Sequence, residues 1–287
     1  MTVHQILIKL IDKFKLLPIF NLETTILVNS RKIIIPINAK QGLTNIRLSE
    51  SWMTEVLKKI KPIFNNHFVD VGVNIGQTLV KAYSVFDNVH YIGFEPNPVC
   101  YNYSKQLIEL NEFSNCAIVP IGIGAKDEVV QLLFFSNDTA DSSASIIKDF
   151  RDENTVVKKE FVPVFHGKAL TQFLPSKVGS ILKVDVEGAE LEVIEGLKSW
   201  INETRPIIII EVLPVYTIEN KFRLQRQESI ASHLNQMSFT ITRIVKNNNN
   251  ISLVKLEAFD INQEIDNSDY IFIPAERTEE IISLFNK

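Results

Sequence analysis

The 287-residue sequence predicts an α/β protein with a doubly wound, mostly parallel sheet. From Phe64 onward, short apolar runs alternate with helix-length segments of helical periodicity. Two strands joined by such a segment need a crossover connection and therefore run parallel. The C-terminal part differs, because no helix is predicted between Val245 and Tyr270. The last strand is therefore expected to run antiparallel, at the end of the sheet.

The predicted elements can be placed along the chain by periodicity and by their boundary residues. Strands are expected at residues 68–71, 91–94, 117–121, 180–184, 207–211, 239–245 and 270–273. Helices are expected at residues 77–86, 98–110, 189–200 and 222–237, the second of which begins with a proline suited to the first helical turn. An insertion, residues 129–165, separates the third and fourth strands and is expected to help shape a binding pocket.

The first 60 residues lack this alternation, and we predict an N-terminal extension at 1–60, of helices and a short strand, before a larger domain at 61–287. Residues 6–20 mix apolar and basic positions, as an amphipathic helix does. This helix is expected to pack on the protein's own core, with peripheral contact to a membrane surface as the alternative. A short strand at 33–37 and a helix N-capped by Ser49 complete the extension.

Composition excludes several classes of protein. The formal net charge of -4 argues against nucleic-acid binding as the main function, because such binding usually needs a basic excess. No apolar run approaches the ~20 residues that an integral membrane helix needs. The two cysteines do not form a CxxC pair and the five histidines are scattered, so neither a disulfide framework nor a zinc site is predicted. A cytoplasmic location is the expectation.

A glycine-rich turn connects the first strand of the larger domain to its helix. Residues 68–78 read FVDVGVNIGQT, a strand–turn–helix context in which glycines indicate ligand binding. A pyrophosphate would be crowded by Asn74 and repelled by Asp70, which disfavours a dinucleotide. A carboxylate suits a cation better, and S-adenosylmethionine (SAM) carries an ammonium and a sulfonium. The turn therefore favours SAM over NAD, with a purely structural turn as the alternative.

The second predicted strand of this domain also ends in an acid. Glu95 follows Gly76 by about the ~20 residues expected of an acid that accepts hydrogen bonds from ribose hydroxyls. Pro96 and Asn97 then lead into the next helix. A role for Glu95 as a solvent-facing helix cap is the alternative.

Charged side chains gather where the fourth predicted strand ends. Since strand residues alternate faces, Lys183, Asp185 and Glu187 would share a side, with Glu211 on the neighbouring strand. Ligands of doubly wound folds bind at this edge of the sheet. Besides a ligand site, an ion-pair network that caps the following helix remains open, and Asp185, Glu187 and Glu211 could hold Mg²⁺, although a metal is not favoured.

Together these segments resemble the FkbM family of SAM-dependent methyltransferases over about residues 45–245. The matching stretches are LSESW (48–52), VDVGVNIG (69–76), GFEPN (93–97), LKVDVEGAE (182–190) and PIIIIE (206–211). The resemblance implies a seven-stranded, Rossmann-like class I methyltransferase fold and O-methylation of a hydroxyl on a sugar or secondary metabolite. By position it places Asp70, Gly72, Asn74 and Gly76 at the methionine end of SAM and Glu95, with Pro96 and Asn97, at the ribose. Gly122, Asp141 and Ser142 would surround the adenine.

For the chemistry we predict that Asp185 and Glu187 are candidate general bases and that Lys183 orients or tunes them by its charge. The expected partner is a small-molecule or glycan acceptor. N-methylation, a non-catalytic SAM- or glycan-binding module and an NAD-dependent oxidoreductase remain alternatives. The sequence predicts neither the acceptor nor the oligomeric state.

Overall fold

An eight-stranded sheet forms the centre of the molecule in a computed structural model that describes Ile11 and residues 22–138, 140–148, 150–247, 250–261 and 264–286. The predicted amphipathic helix at 6–20 lies outside the described residues, apart from Ile11. The strands are β1 (Leu22–Val28), β2 (Arg31–Ile37), β3 (His67–Val71), β4 (His90–Phe94), β5 (Cys116–Val119), β6 (Gly122–Ile123), β7 (Glu128–Phe134), β8 (Lys158–Phe165), β9 (Ile181–Val184), β10 (Ile207–Glu211), β11 (Phe239–Asn247), β12 (Asn250–Leu256) and β13 (Asp269–Pro274).

Eight α-helices lie in the described part of the chain. They are α1 (Leu43–Arg47), α2 (Ser51–Ile60), α3 (Gln77–Val85), α4 (Pro98–Leu110), α5 (Glu190–Gly196), α6 (Lys198–Thr204), α7 (Lys221–Gln236) and α8 (Thr278–Phe285). Short 3₁₀ helices occur at Lys61–Ile63, Glu153–Thr155, Gly167–Leu170, Ile265–Asn267 and Ala275–Arg277. The predicted helix at 189–200 is thus two helices, which meet at Leu197.

The order of the central sheet is β12-β11-β13-β10-β9-β3-β4-β5, and the five strands from β10 to β5 are parallel. This confirms the α/β fold with a mostly parallel sheet, although the sheet has eight strands where the resemblance implied seven, because β12 pairs with β11 as an additional edge strand. The antiparallel β13 does not lie at the end of the sheet, as expected, but between β10 and β11. All six of its residues are buried, so it needs a neighbour on both sides, whereas the half-exposed β12 takes the edge as a second antiparallel strand.

Alternate residues of the central strands enter two apolar cores, one on each face of the sheet. Ile207 and Ile209 belong to one core, and Ile208 and Ile210 belong to the other. Each fully buried side chain of this size contributes ~1.5–3 kcal/mol through removal of apolar surface from water. Helices α2, α3 and α8 cover the first core, and α5, α6 and α7 cover the second.

The described part of the N-terminal extension is a β-hairpin followed by α1 and α2. The predicted strand at 33–37 lies within β2, which pairs with β1 through a two-residue turn. The turn residues Asn29 and Ser30 both have positive φ, the conformation of favoured hairpin turns. Ser49 is not the N-cap of α2, which begins at Ser51 after Glu50. Instead, the Ser49 hydroxyl accepts a 2.8 Å hydrogen bond from the Gln77 side chain.

The predicted insertion, 129–165, supplies β8 and nearly all of β7 to a second, three-stranded sheet of order β6-β8-β7, while β6 precedes the insertion. This small sheet joins the main body through a close backbone approach, because a Cβ at Gly196 would lie 2.1 Å from the Gly124 carbonyl oxygen. Glycine at the end of α5 therefore permits α5 to contact the segment after β6.

Gly196→Ala is expected to lower the free energy of unfolding by ~1–3 kcal/mol, the usual cost of overpacking a tight contact. Ser199→Ala, at an exposed position of the adjacent helix α6, is the matched control and should change the free energy by less than about 0.5 kcal/mol. Chemical denaturation measures both variants. Equal stability of Gly196→Ala and the wild type would contradict the inferred contact.

Candidate functional site

A cleft opens at the carboxyl ends of β3, β4, β9 and β10, between the central sheet and the insertion. Most of the site residues predicted from the sequence line it, namely Gly72, Asn74, Glu95, Pro96, Asn97, Gly122, Asp141, Ser142, Lys183, Asp185 and Glu187. Asp70 and Gly76 do not belong to its lining. The topology therefore brings three distant sequence segments and the insertion together around one space.

The glycine turn after β3 is shaped by close backbone contacts. Gly72 has φ 87°, and a Cβ there would lie 1.9 Å from the Asp185 carbonyl oxygen. No side chain fits at this position, so Gly72 brings the β3 turn directly against the segment after β9. Gly76, with φ 76°, precedes the first residue of α3 and packs against Leu107 of α4. Gly76 therefore allows the chain to turn into α3 and does not form part of the cleft wall.

Asp70 lies beneath the cleft and not in its lining, and its contact with the methionine end of SAM stays a prediction. Its carboxylate is fully buried, accepts a hydrogen bond from the Tyr91 hydroxyl and lies 3.8 Å from the Lys183 ammonium. Burial raises the pKa of Asp70 to about 6, although Lys183 and Tyr91 oppose this shift. The physical reason for this burial is that β3 extends to Val71, so Asp70 still follows the alternation of the strand.

Glu95 directly follows β4 and lines the cleft. One carboxylate oxygen accepts the Asn74 N–H at 2.7 Å and the other accepts the Asn97 N–H at 2.8 Å. Burial outweighs these hydrogen bonds and raises the pKa of Glu95 to about 7. Because each carboxylate oxygen has two lone pairs, Glu95 can accept two further hydrogen bonds from a ligand.

Three acidic side chains form a cluster, here called the carboxylate cluster, of Asp185, Glu187 and Glu211. Each offers an oxygen within 4.8 Å of the others, a spacing that a divalent cation could use. Each also has a protein partner: Lys183 donates to Asp185 at 3.0 Å, Arg151 to Glu187 at 2.7 Å and Ser268 to Glu211 at 3.0 Å.

The environment shifts the pKa values of two acids of the carboxylate cluster and of the neighbouring Lys183. Burial and the Asp185 charge raise the pKa of Glu187, and the same two causes raise the pKa of Glu211 to about 8. Burial opposes the charge on Lys183, but Asp185 and Asp70 outweigh it and raise the pKa of this lysine. Lys183 is therefore a fixed cation between two carboxylates, and Glu211 is a carboxyl group that retains its proton near neutral pH.

The insertion supplies the remaining wall of the cleft. Asp141 accepts hydrogen bonds from the backbone of Phe135, Ser136 and Ser143 and from the Ser143 hydroxyl. Burial opposes its ionisation, but these bonds lower the pKa of Asp141. The carboxylate thus organises its own loop and places Ser142 in the cleft wall.

Several residues of the cleft were not predicted from the sequence. Glu50 enters from the N-terminal extension, and Gln77 and Thr78 enter from the start of α3. Arg151 of the insertion is not part of the lining but donates a hydrogen bond to Glu187, which lines the cleft. The only sequence signal for Glu50 was its place in the LSESW segment.

Among the described residues, no helix is both long enough and apolar enough to cross a bilayer.

Comparison with known proteins gives a family match in the region that forms the cleft. The family model described as Methyltransferase FkbM domain matches residues 70–241. Methyltransferase 1 of Beauveria bassiana (strain ARSEF 2860) is 29% identical over 147 residues, which cover 46% of this chain and 59% of that protein. Methyltransferase sdnD of Sordaria araneosa is 28% identical over 159 residues, which cover 46% of this chain and 61% of that protein. The match thus spans less than two thirds of either relative.

Solved structures were also compared. The methyltransferase FkbM from Methylobacillus flagellatus KT aligns with a TM-score of 0.45 at 12% identity, covering 82% of this chain and 54% of that chain. An O-methyltransferase from Bacillus cereus in complex with SAH gives a TM-score of 0.44 at 8% identity, covering 78% of this chain and 80% of that chain. The family model is the finding that decides membership, since it spans more than half of the sequence. The chain belongs to the FkbM family of methyltransferases.

Proposed function

We propose that this methyltransferase uses SAM to methylate a hydroxyl oxygen on a small acceptor, such as a sugar or a secondary metabolite. The observation that carries the proposal is that Glu95 and the carboxylate cluster line the same cleft. Glu95 offers oxygens to a ribose, and the cluster offers bases to a hydroxyl, which is a poor nucleophile until its proton is removed. An amine that is already neutral does not need such a base, so the cluster favours O- over N-methylation and supports an enzyme over a binding module.

The residues of the cleft fit SAM. Glu95 retains free lone pairs for the ribose hydroxyls, and the apolar side chains of Ile123, Leu132 and Ile146 suit a flat adenine ring. The acidic lining suits a ligand that carries an ammonium and a sulfonium. When bound, SAM supplies an electrophilic methyl group.

Asp185 is the proposed general base. Its side chain is 33% exposed in the cleft, and Lys183 donates a 3.0 Å hydrogen bond to its Oδ2. This bond orients the carboxylate, so that it can accept the proton of an acceptor hydroxyl. Glu187, held by Arg151, is the second candidate base, and alignment of the acceptor oxygen by these groups lowers the barrier further.

The carboxylate cluster is proposed to work without Mg²⁺. Each of its members already has a cationic or hydroxyl partner from the protein, which satisfies the charge or lone pairs that a metal would otherwise use. Loss of turnover on dialysis against EDTA, with recovery on addition of Mg²⁺, would contradict this.

Residues 1–60 are proposed to be an appendage of the domain at 61–287 rather than an independent unit. In the described part, the Asn45 side chain donates to the Ile75 carbonyl and the Tyr103 hydroxyl donates to the Pro36 carbonyl, both at 2.8 Å. Cooperative folding of an isolated fragment 1–60 would contradict this.

A cytoplasmic location is proposed because both cysteines are free thiols, which a reducing compartment maintains. Cell fractionation is the test, and recovery outside the cytoplasm would contradict the proposal.

Asp185→Asn is expected to lower kcat by ~10²–10⁴-fold, the usual contribution of a general base, because the amide cannot take up the proton. SAM affinity should change by only a few-fold, since the amide keeps the size of the side chain. The assay is SAH formation with a panel of hydroxylated acceptors, beside calorimetric titration with SAM. Glu55→Gln, a surface acid paired with Lys58, is the control. Turnover near the wild-type rate would rule out Asp185 as the base.

Binding of SAM near neutral pH is expected to release protons. At pH 7 the carboxyl of Glu211 is mostly protonated, because burial and neighbouring acids raise its pKa to about 8. A cation bound beside the cluster favours the ionised form, so the pKa falls and a proton leaves. Calorimetry in buffers of different ionisation enthalpy should detect up to about one proton released, and none above about pH 9, where Glu211 is already ionised.

Glu211→Gln separates this source of protons from Glu95, whose pKa of about 7 also allows some release. The variant should release fewer protons than the wild type at pH 7. Equal release by the two proteins would contradict the role given to Glu211.

A further inference from the structure

Glu50 is a cleft residue that lies outside the region matched by the family model. It stands between α1 and α2 with φ 57°, in the left-handed region that non-glycine residues seldom adopt. Its side chain makes no capping hydrogen bond to α2 and is 44% exposed. In this backbone conformation the Glu50 carboxylate lines the cleft and does not cap the N-terminus of α2.

Lys81 holds this carboxylate in place. The ammonium of Lys81, on the buried side of α3, donates a 2.7 Å hydrogen bond to Glu50 Oε2. The side chain of Lys81 is only 3% exposed, so the ion pair is anchored from the protein interior. Partial burial opposes ionisation of Glu50, but Lys81 outweighs it and lowers the pKa of Glu50. Glu50 is thus an anion at neutral pH, and its carboxylate has acceptor capacity beyond the bond to Lys81.

The acid of the glycine turn that was expected to meet the methionine end of SAM does not line the cleft. Asp70, the acid of the turn itself, is buried and engaged by Tyr91 and Lys183. Glu50 adjoins the same end of the cleft, because the hydrogen bond from Gln77 to Ser49 ties its segment to the start of α3. A cationic group seated near the glycine turn would therefore meet Glu50 rather than Asp70.

We propose that Glu50 binds the α-ammonium of the methionine part of SAM. The inference rests on the proposed use of SAM and assigns the ammonium contact to the N-terminal extension. An ammonium offers three donors and full positive charge, which matches an anchored carboxylate with free lone pairs. Glu50 is thereby a specificity residue that distinguishes SAM from ligands that share only its nucleoside.

The test compares SAM with 5′-methylthioadenosine, which has the nucleoside but a neutral sulfur and no amino-acid end, and with S-adenosylhomocysteine, which keeps the ammonium on a neutral sulfur. An ammonium contact requires that S-adenosylhomocysteine be weakened as much as SAM, whereas weakening of SAM alone would assign the contact to the sulfonium and overturn the inference. Calorimetry is carried out on the full chain and on Glu50→Gln, with Glu55→Gln on α2 as the matched acid-to-amide control. Loss of a charge-assisted hydrogen bond should weaken SAM binding by ~10- to 100-fold. Binding of 5′-methylthioadenosine should stay within about two-fold of the wild type, because that ligand has no ammonium for Glu50 to contact.

A double variant, Glu50→Gln with Lys81→Met, covers the case in which an unpaired buried Lys81 unfolds the single variant. It removes both charges, and its binding of 5′-methylthioadenosine reports an intact cleft. Equal weakening of SAM and 5′-methylthioadenosine would mean that Glu50 only supports the fold, and unchanged SAM affinity would mean that it does not contact the ammonium. Either result overturns the inference about Glu50 but leaves the proposed use of SAM standing. If the wild-type protein binds none of these ligands, the proposed use of SAM fails and the inference with it.

Discussion

The buried ammonium of Lys183 joins the two central strands of the sheet on which the cleft is built. Lys183 lies opposite Asp70 in the parallel register of β3 and β9, with 3.8 Å between the charged atoms, and it donates to Asp185 at 3.0 Å. Removing such a charge from water costs several kcal/mol unless it is paired. The pairing therefore fixes the register and orients Asp185, while Gly72 allows the two strand ends to meet.

The same charges divide the acids of the cleft into different chemical roles. Asp70 is enclosed beneath the site, Asp185 takes the hydrogen bond from Lys183, and Glu211 holds its proton to about pH 8 because burial and neighbouring acids disfavour its charge. A carboxylate positioned by a fixed cation beside carboxyl groups of raised pKa is suited to receive a proton. Glu95, on the glycine-turn side, is left free to accept hydrogen bonds from a ligand.

Much of the fold could be predicted from the sequence, because apolar runs such as residues 207–210 and helical periodicity are local signals. The glycine turn, Glu95 and the 183–187 segment could be placed in one cleft because parallel strands end at one edge. The burial of Asp70 beneath the cleft could not be predicted, since it depends on β3 continuing through Val71. The presence of Glu50 in the cleft could not be predicted either, because its position depends on a left-handed backbone conformation and on Lys81 of another helix.

Calorimetric titration of the purified wild-type protein with SAM, and separately with NAD, tests the central claim most directly. The account predicts micromolar binding of SAM and no measurable binding of NAD, because the acidic lining and Asn74 suit a cationic sulfonium ligand and disfavour a pyrophosphate. Binding of NAD in preference to SAM would contradict the assignment of the cleft.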